Sequence, residues 1–450
     1  MTTLTQRIGQ FTSTLTREQI PLAVWEKGKV SLLHNLGVGL AGQDLLMAPG
    51  YAQSLGEQGP MACARLLISG RPATPETAAF VNAALMHARA QDDVYFPGLT
   101  HAGAIMSPAV LAVAEQLGSS GSEVITALIA GYEAMGAISQ GFAKRSTPRG
   151  FRASGIYGGF AATAGVARLL GLDAQATAHA LGMAASAASG TNQTWVSGTQ
   201  EWQMQLGLAS RNGILAARLA AVGATAAPDA LEGSAGFYRA FLGEVDGLEG
   251  VGRDLGQTWR SLDVTYKPFA VCAILQAPVT QAMALSEKHQ LKAEDIAAVR
   301  LRLNPAEAAY PGTDSQGPFS DIGATLMSAP FCMALALIER KVLGRDLKRL
   351  DDARLSPLIG RSTVIPDASL GTRSFVLEVD LRSGQTLKHV EQTQGEPFNW
   401  NRDEVRANLM AMASEMPCDA AGIEQLCQRV LGAEGFSARQ IVDACMFDNC

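Results

Sequence analysis

The sequence predicts an α+β fold, mostly α: a large all-helical domain carrying a smaller inserted α/β domain. Three observations predict it. Apolar residues recur at helical spacing through the first half of the chain, as in Leu32, Leu33, Leu36 and Leu40. Period-two alternation, the mark of a strand, first appears at Ala298-Val299-Arg300-Leu301-Arg302-Leu303 and ends before Asn401, where helical patterns resume. Helices, then strands, then helices favour a segregated α+β arrangement over an alternating doubly wound sheet. The expected division is 1–265 and 398–450 for the helical domain and 266–397 for the α/β domain.

In chain order, 4–16 and 18–42 read as helices, with Pro21 in a first turn and Pro49-Gly50 ending the pattern. Met61–Ser69 reads as a helical run, and Pro75 opens a helix that reaches about Ala90. Gln91–Gly103 is a loop crowded with acids, aromatics and His101, a composition typical of functional loops. Helices follow at 107–117 and from a Ser122 cap to about Phe142. The stretch Ser146–Gly223 opens on the basic turn Arg149-Gly150-Phe151-Arg152 and continues as Ala/Gly/Ser-rich helices with a Trp-bearing loop between them. Ala227-Pro228-Asp229 reads as a helix start, and Gly233–Gly252 as loop with one helical turn. Beyond it come a helix at about 270–286, the strand at 298–303, a Pro/Gly-rich loop over 305–320 and an apolar helix over 322–340. Strands at 362–365, 374–379 and 386–392 complete the insert, with a hairpin turn at Arg382–Gln385.

Bulk composition narrows the function. Of 450 residues, 47% are hydrophobic and 17% charged, which fits a protein with much buried surface and argues against disorder. A net charge of −6 and the absence of any Lys/Arg block argue against nucleic acid as a partner. The longest uncharged stretch, Ala174–Gln200, is too rich in Ser, Thr, Asn and Gln to span a membrane. Seven scattered cysteines without a CxxC pair, behind an N-terminus lacking an apolar signal segment, fit reduced thiols and a cytoplasmic location.

The candidates for chemistry are few. His101, in the acid-aromatic loop, suits general acid/base work at neutral pH. Asp92 and Asp93 could orient it; with one His and no second one nearby, they do not form a metal site. Lys267, ahead of an apolar helix, can pair with a carboxylate or stabilise charge developing on one. Arg149 and Arg152 suggest an anion site at the mouth of the small-residue helices. No GxGxxG after a strand, GKS/T loop, GxSxG elbow or HExxH is present, so no cofactor is expected.

The order of several motifs carries a resemblance. Asp92-Asp93 precedes His101-x-Gly103; Arg149–Gly159 is similar to a Gly-Phe-His-Pro-Thr-Gly-type motif before an Ala-rich helix. Gly171-Leu172-Asp173, Ala180–Ala184, Leu231-Glu232-Gly233, Lys267-Pro268-Phe269 and Ser328-Ala329-Pro330-Phe331 follow in order. The chain resembles the MmgE/PrpD family over about 20–400; this family contains 2-methylcitrate dehydratase, cis-aconitate decarboxylase and iminodisuccinate epimerase. The resemblance implies a two-domain homodimer that needs no nucleotide and acts on small di- and tricarboxylates by proton chemistry beside a carboxylate. The family's Asp before the acid pair falls at Ala90, its Thr at Val94, its His at Arg152, a Lys near Trp202 and its Tyr at Phe331. His101 and Lys267 are the expected catalytic pair, with substrate contacts from Arg149, Arg152, Asp93, Tyr157, Trp202 and Phe331. The expected activity is that of a hydro-lyase resembling 2-methylcitrate dehydratase. Epimerisation and decarboxylation are alternatives within the class, and a catalytically silent carboxylate-binding dimer is the alternative outside it.

Overall fold

The structure is a computed structural model that describes residues 2–45, 63–393 and 397–447. The fold is α+β and mostly α. The long helices of the first half are α1 (Leu4–Thr14), α2 (Leu22–Ala41), α3 (Pro75–His87), α4 (Ala102–Leu117), α5 (Gly121–Ser139), α6 (Ala153–Leu169), α7 (Ala174–Ala187) and, after a short α8 (Gln193–Ser197), α9 (Glu201–Ala221), with a short α10 (Phe237–Leu242) beyond it. Helices α2 to α6 bury nearly all faces, because small side chains let them pack at short range. A Cβ on Gly131 of α5 would lie 2.6 Å from the Ala161 carbonyl of α6, so these two helices touch backbone to backbone. Thr74 accepts a hydrogen bond from Thr77 N and Pro75 occupies the first turn, which starts α3 where the sequence placed it.

Two apolar cores organise the chain. The first runs from Leu4 to Tyr266 and takes in Val405, Leu409, Ile423 and Leu426 from the C-terminal helices α14 (Arg402–Ala411) and α15 (Ala420–Leu431). The second lies beneath a four-stranded sheet of order β6-β5-β7-β8. Here β5 is Ile296–Leu303, β6 Ser362–Pro366, β7 Phe375–Leu381 and β8 Thr386–Glu391. β5 pairs parallel with β6 and antiparallel with β7, and β7 pairs antiparallel with β8 across the expected hairpin. Val299, Leu301, Leu303, Leu377 and Val379 turn inward against α11 (Gln276–His289) and α13 (Ala329–Glu339). Arg300, on the other face of β5, pairs with Glu378 and Asp380 across the ladder.

Several expectations are corrected. The described part of Met61–Ser69 is not helical: β1 (Ala64–Arg65) pairs with β2 (Pro72–Ala73), and Ile68 sits at φ 70° in the turn between them. Pro49-Gly50, Met61 and Ala62 lie outside the described residues. Ser120, not Ser122, caps α5, accepting from Glu123 N while Glu123 reaches back in a capping box. Ala227-Pro228-Asp229 begins a run of turns instead of a helix: the one helical-type bond, from Gly233 N to the Asp229 carbonyl, is followed by a turn bond from Gly236 N to the Gly233 carbonyl. The apolar run over 322–340 is two helices, α12 (Ile322–Met327) and α13, because Ser328 leaves helical geometry to cap the second through Phe331 N. Among the described residues no helix is long and apolar enough to cross a membrane.

Candidate active site

The site is assembled where the loop after α3 meets the chain entering the second core. β3 (Val94–Tyr95) pairs antiparallel with β4 (Val264–Thr265), which carries Lys267 alongside the 91–101 loop. Gln91 fastens the junction. Its Nε2 donates to the carbonyls of Lys267 (3.1 Å) and Pro268 (2.8 Å), and its Oε1 accepts from Arg89 Nε. The Lys267 ammonium is 2% exposed, donates to the Ala90 carbonyl at 2.5 Å and lies 3.5 Å from His101 Nδ1. Burial holds this lysine below its ordinary value, with the Asp92 carboxylate pulling it back up.

Asp92 is the hub. Its Oδ1 accepts from His87 Nδ1 at 2.7 Å, and its Oδ2 lies 3.1 Å from His101 Nδ1. The same His101 nitrogen is 3.0 Å from the Asp93 carbonyl. With Nδ1 turned to these acceptors, Nε2 is the open nitrogen of His101, whose side chain keeps 17% of its surface exposed. Burial, then the neighbouring ammonium of Lys267, keeps the imidazole below its ordinary value, so it is neutral and able to take a proton. The two imidazoles hold Asp92 well below the usual carboxylate range, against its own burial.

Asp93 points away from this cluster into a cradle. Its Oδ1 accepts from Gly103 N at 3.0 Å, its Oδ2 accepts from the Tyr132 hydroxyl, and its own N–H donates to Asn35 Oδ1 at 3.2 Å. Burial pushes its carboxyl up to about 6. The cradle explains Gly103: a Cβ there would lie 2.1 Å from Asn35 Nδ2 and 2.6 Å from Asp93 Oδ2. Asp93 therefore shapes the loop from behind.

Arg152 precedes α6 and is 4% exposed. Its Nη1 donates to the Trp202 carbonyl (2.6 Å) and Gln205 Oε1 (3.1 Å), and its Nη2 contacts His87 Nε2 at 2.6 Å. The guanidinium lies 4.9 Å over the Trp195 ring, and Trp195 in turn packs on Trp202. Burial lowers Arg152 to about 10, which leaves it charged at neutral pH. Of its five N–H groups three are taken among the described residues, leaving Nε–H and one on Nη2.

The structure thus brings His101, Lys267, Arg152 and Trp202 together, with Asp93 directly behind. Three other candidates lie elsewhere. Arg149 is exposed, and its guanidinium bonds the Leu242 carbonyl at 3.2 Å. Tyr157 is buried in the first core, its ring edge-on to Phe237 at 5.4 Å and its hydroxyl 3.4 Å from Ser146 Oγ. Phe331 is fully buried in the second core against Phe319. His87 was missed: it ends α3 five residues before Asp92, and the helix-to-loop turn folds it back onto that acid. Tyr310 and Cys272 were missed as well. Arg152 pulls the Tyr310 phenol down and Lys267 pulls the Cys272 thiol down, each against a larger upward push from burial.

The second histidine raises the question of a metal, because ligand atoms of His87, Asp92 and His101 lie within 4.8 Å of one another. The set fits a divalent ion poorly. His87 Nε2 already faces a guanidinium, both Nδ1 atoms face Asp92, and the Lys267 ammonium adjoins His101. A cleft of about 740 Å³ between α7, α9 and the 225–241 segment has Asp229 as its one ionisable lining residue among those described. The cavity beside Lys267 is about 20 Å³, enough for one water.

The chain belongs to the MmgE/PrpD family. The model for the MmgE/PrpD N-terminal domain matches residues 6–247, and that for the MmgE/PrpD C-terminal domain matches 269–445. It is 27% identical over 367 residues to cis-aconitate decarboxylase of Aspergillus terreus, covering 78% of this chain and 74% of that one. It is 23% identical over 463 residues to the cis-aconitate decarboxylase-like protein oryM of Aspergillus oryzae, covering 96% and 94%. Human cis-aconitate decarboxylase is 31% identical over 169 residues, covering 36% of this chain and 34% of its own.

Proposed function

We propose that the chain is an enzyme that binds a small di- or tricarboxylate between Arg152 and Lys267 and moves the proton alpha to one carboxylate with His101. One observation carries the reading: two buried cations, Lys267 beside His101 and Arg152 beside His87, touch no carboxylate among the described residues. The nearby acid oxygens are turned to other donors, those of Asp92 to two imidazoles and those of Asp93 to Tyr132 and Gly103 N. A substrate carboxylate on the free Arg152 N–H groups would make the charge-assisted contacts that the protein leaves open. A second carboxylate near Lys267 would have its enolate-like charge stabilised as His101 Nε2 takes the alpha proton. The electron pair then expels a beta hydroxyl, which leaves as water on taking the proton His101 has removed, giving a hydro-lyase similar to 2-methylcitrate dehydratase.

Decarboxylation is the second reading, supported by the names of the relatives. In it a carboxylate departs as carbon dioxide, and a protonated group returns a proton to the same carbon. We also read 266–397 as an inserted domain of a homodimeric, cytoplasmic protein. Size-exclusion chromatography with light scattering tests the dimer, and cell fractionation the location.

The deciding experiment is proton NMR in D2O with methylcitrate, citrate, cis-aconitate, malate-type acids and amino-dicarboxylates. A new vinyl signal without release of carbon dioxide identifies dehydration, release of carbon dioxide identifies decarboxylation, and deuterium at one carbon without either identifies epimerisation. Carboxylate-dependent thermal stabilisation with no exchange on any acid would mark a binding protein instead.

A further inference from the structure

We propose that His87 is a positioning residue, a neutral imidazole with its proton on Nδ1 whose Nε2 lone pair seats the Arg152 guanidinium beside the Asp92–His101 pair. The inference rests on the carboxylate reading only for what Arg152 goes on to bind. The proton positions follow from donor chemistry. Arginine offers donors and no acceptor, so the 2.6 Å contact between Arg152 Nη2 and His87 Nε2 requires a lone pair on that nitrogen. The ring proton is then on Nδ1, where Asp92 Oδ1 receives it at 2.7 Å. A doubly protonated ring would turn an N–H against a guanidinium inside a wall formed by Trp202 at 5.1 Å and His101 at 4.9 Å.

The charged and titratable groups facing His87 are Asp92 from the loop, Arg152 from the start of α6 and His101 from the start of α4. Burial and the Arg152 charge outweigh the Asp92 charge and push this imidazole down to about 3. The ring therefore stays neutral around neutral pH, and its lone pair is available to the guanidinium there. Three acceptors then fix Arg152 in orientation: the Trp202 carbonyl, Gln205 Oε1 and His87 Nε2. The third is the one that ties the anion-binding cation to the hub that also orients the base.

The test combines a spectroscopic signature with two half-conservative variants. In nitrogen-15 spectra of the labelled full chain, His87 is expected to show a protonated Nδ1 and an unprotonated Nε2, unchanged from about pH 5 to about pH 8. His87→Gln can place an acceptor near the Nε2 position and keep the Arg152 contact. His87→Asn can place a donor near the Nδ1 position and keep the Asp92 contact. With citrate as the calorimetric probe, His87→Asn should bind about tenfold or more weakly and His87→Gln within about threefold of wild type. Thermal melting of both variants controls for a merely structural role, which would weaken both equally. A ring that titrates within that pH range, a proton on Nε2, or equal loss in the two variants overturns the proposal. A locked Nδ1–H tautomer in a protein that binds no citrate upholds it and counts against the carboxylate reading; citrate binding with a titrating His87 does the reverse.

Discussion

Replacing Lys267 with Met separates charge from shape at the site's centre. Met preserves the length and apolar stem of the side chain and removes the ammonium. The backbone stays anchored, because Gln91 bonds the Lys267 and Pro268 carbonyls irrespective of the side chain. Two stability terms oppose each other. The Ala90 carbonyl loses its 2.5 Å partner, a cost of about 1–3 kcal/mol for a buried acceptor left unmatched. In return, an ammonium on a residue that is 2% exposed, and that touches no carboxylate among the described residues, is no longer held out of water, a relief of several kcal/mol for an unpaired ion. The expected net effect is unchanged or raised stability in urea denaturation. Turnover should behave oppositely. If the ammonium stabilises developing enolate charge, its removal should slow deuterium exchange by about 10²–10³, as for other preorganised charge stabilisers. A folded, stable Lys267→Met protein that exchanges at nearly the wild-type rate would remove Lys267 from the chemistry and refute the reading.

Three further outcomes are expected. Arg152→Lys should raise the apparent KM for a dicarboxylate by about 10–100-fold in steady-state assays, because an ammonium cannot hold the Trp202, Gln205 and His87 acceptors and still offer a planar fork. Gly103→Ala places a methyl 2.1 Å from Asn35 Nδ2 and 2.6 Å from the Tyr132 hydroxyl oxygen, so urea denaturation should show a loss of about 1–3 kcal/mol. Lys27, buried above the Tyr266 ring, has its value lowered by burial from 10.5 to about 7. Between those two values the unfolded chain binds more protons than the folded one, so stability should rise with pH across that window by at most about 1.4 kcal/mol per unit. Lys27→Met should flatten that rise in urea midpoints taken across the same pH range.

What was legible in the sequence follows the physics of each signal. The segregation of helices from strands showed clearly, because it is written in long stretches of period 3.6 and period 2. Alternation of Val299, Leu301 and Leu303 found β5 and its buried face without any knowledge of neighbours. Short-range geometry was harder. Leu66, Leu67 and Ile68 look helical by hydrophobicity, yet they form a turn and lie buried because they pack under the C-terminal residues, where Ile68 N bonds the Cys445 carbonyl. No local pattern announces a partner nearly 400 positions away. The site divides the same way. His101 and Lys267 stood out by residue type and loop context. Arg149 and Arg152 looked equivalent in one turn, and only the fold separates them: Arg152 begins a buried helix facing Trp202, while Arg149 remains outside by Leu242. His87 belonged to an apparently apolar helix, and its role depends on the loop turning back onto it.

The two arginine-linked tryptophans bear on why an arginine is tolerated at a fully enclosed position. A buried cation without a carboxylate partner is destabilising, yet Arg152, which has none among the described residues, keeps its charge at neutral pH. The Trp195 face, 4.9 Å away, contributes a cation–π attraction, and three neutral acceptors satisfy three of the five donors. These contacts hold the guanidinium in place and leave its charge uncompensated. A ligand carboxylate supplies the missing counter-charge, so binding should stabilise the fold as well as fill the site. At a hundredfold excess over Kd that linkage is worth about 2.7 kcal/mol. The same ligand should stabilise an Arg152→Met protein much less, although that variant has lost the unpaired charge and should be the more stable of the two when empty. An inverted order of this kind, with the wild type below the variant without citrate and above it with citrate, would follow from an anion site. Parallel melting curves at every citrate concentration would mean that Arg152 serves the packing of Trp195 and Trp202 and binds no anion.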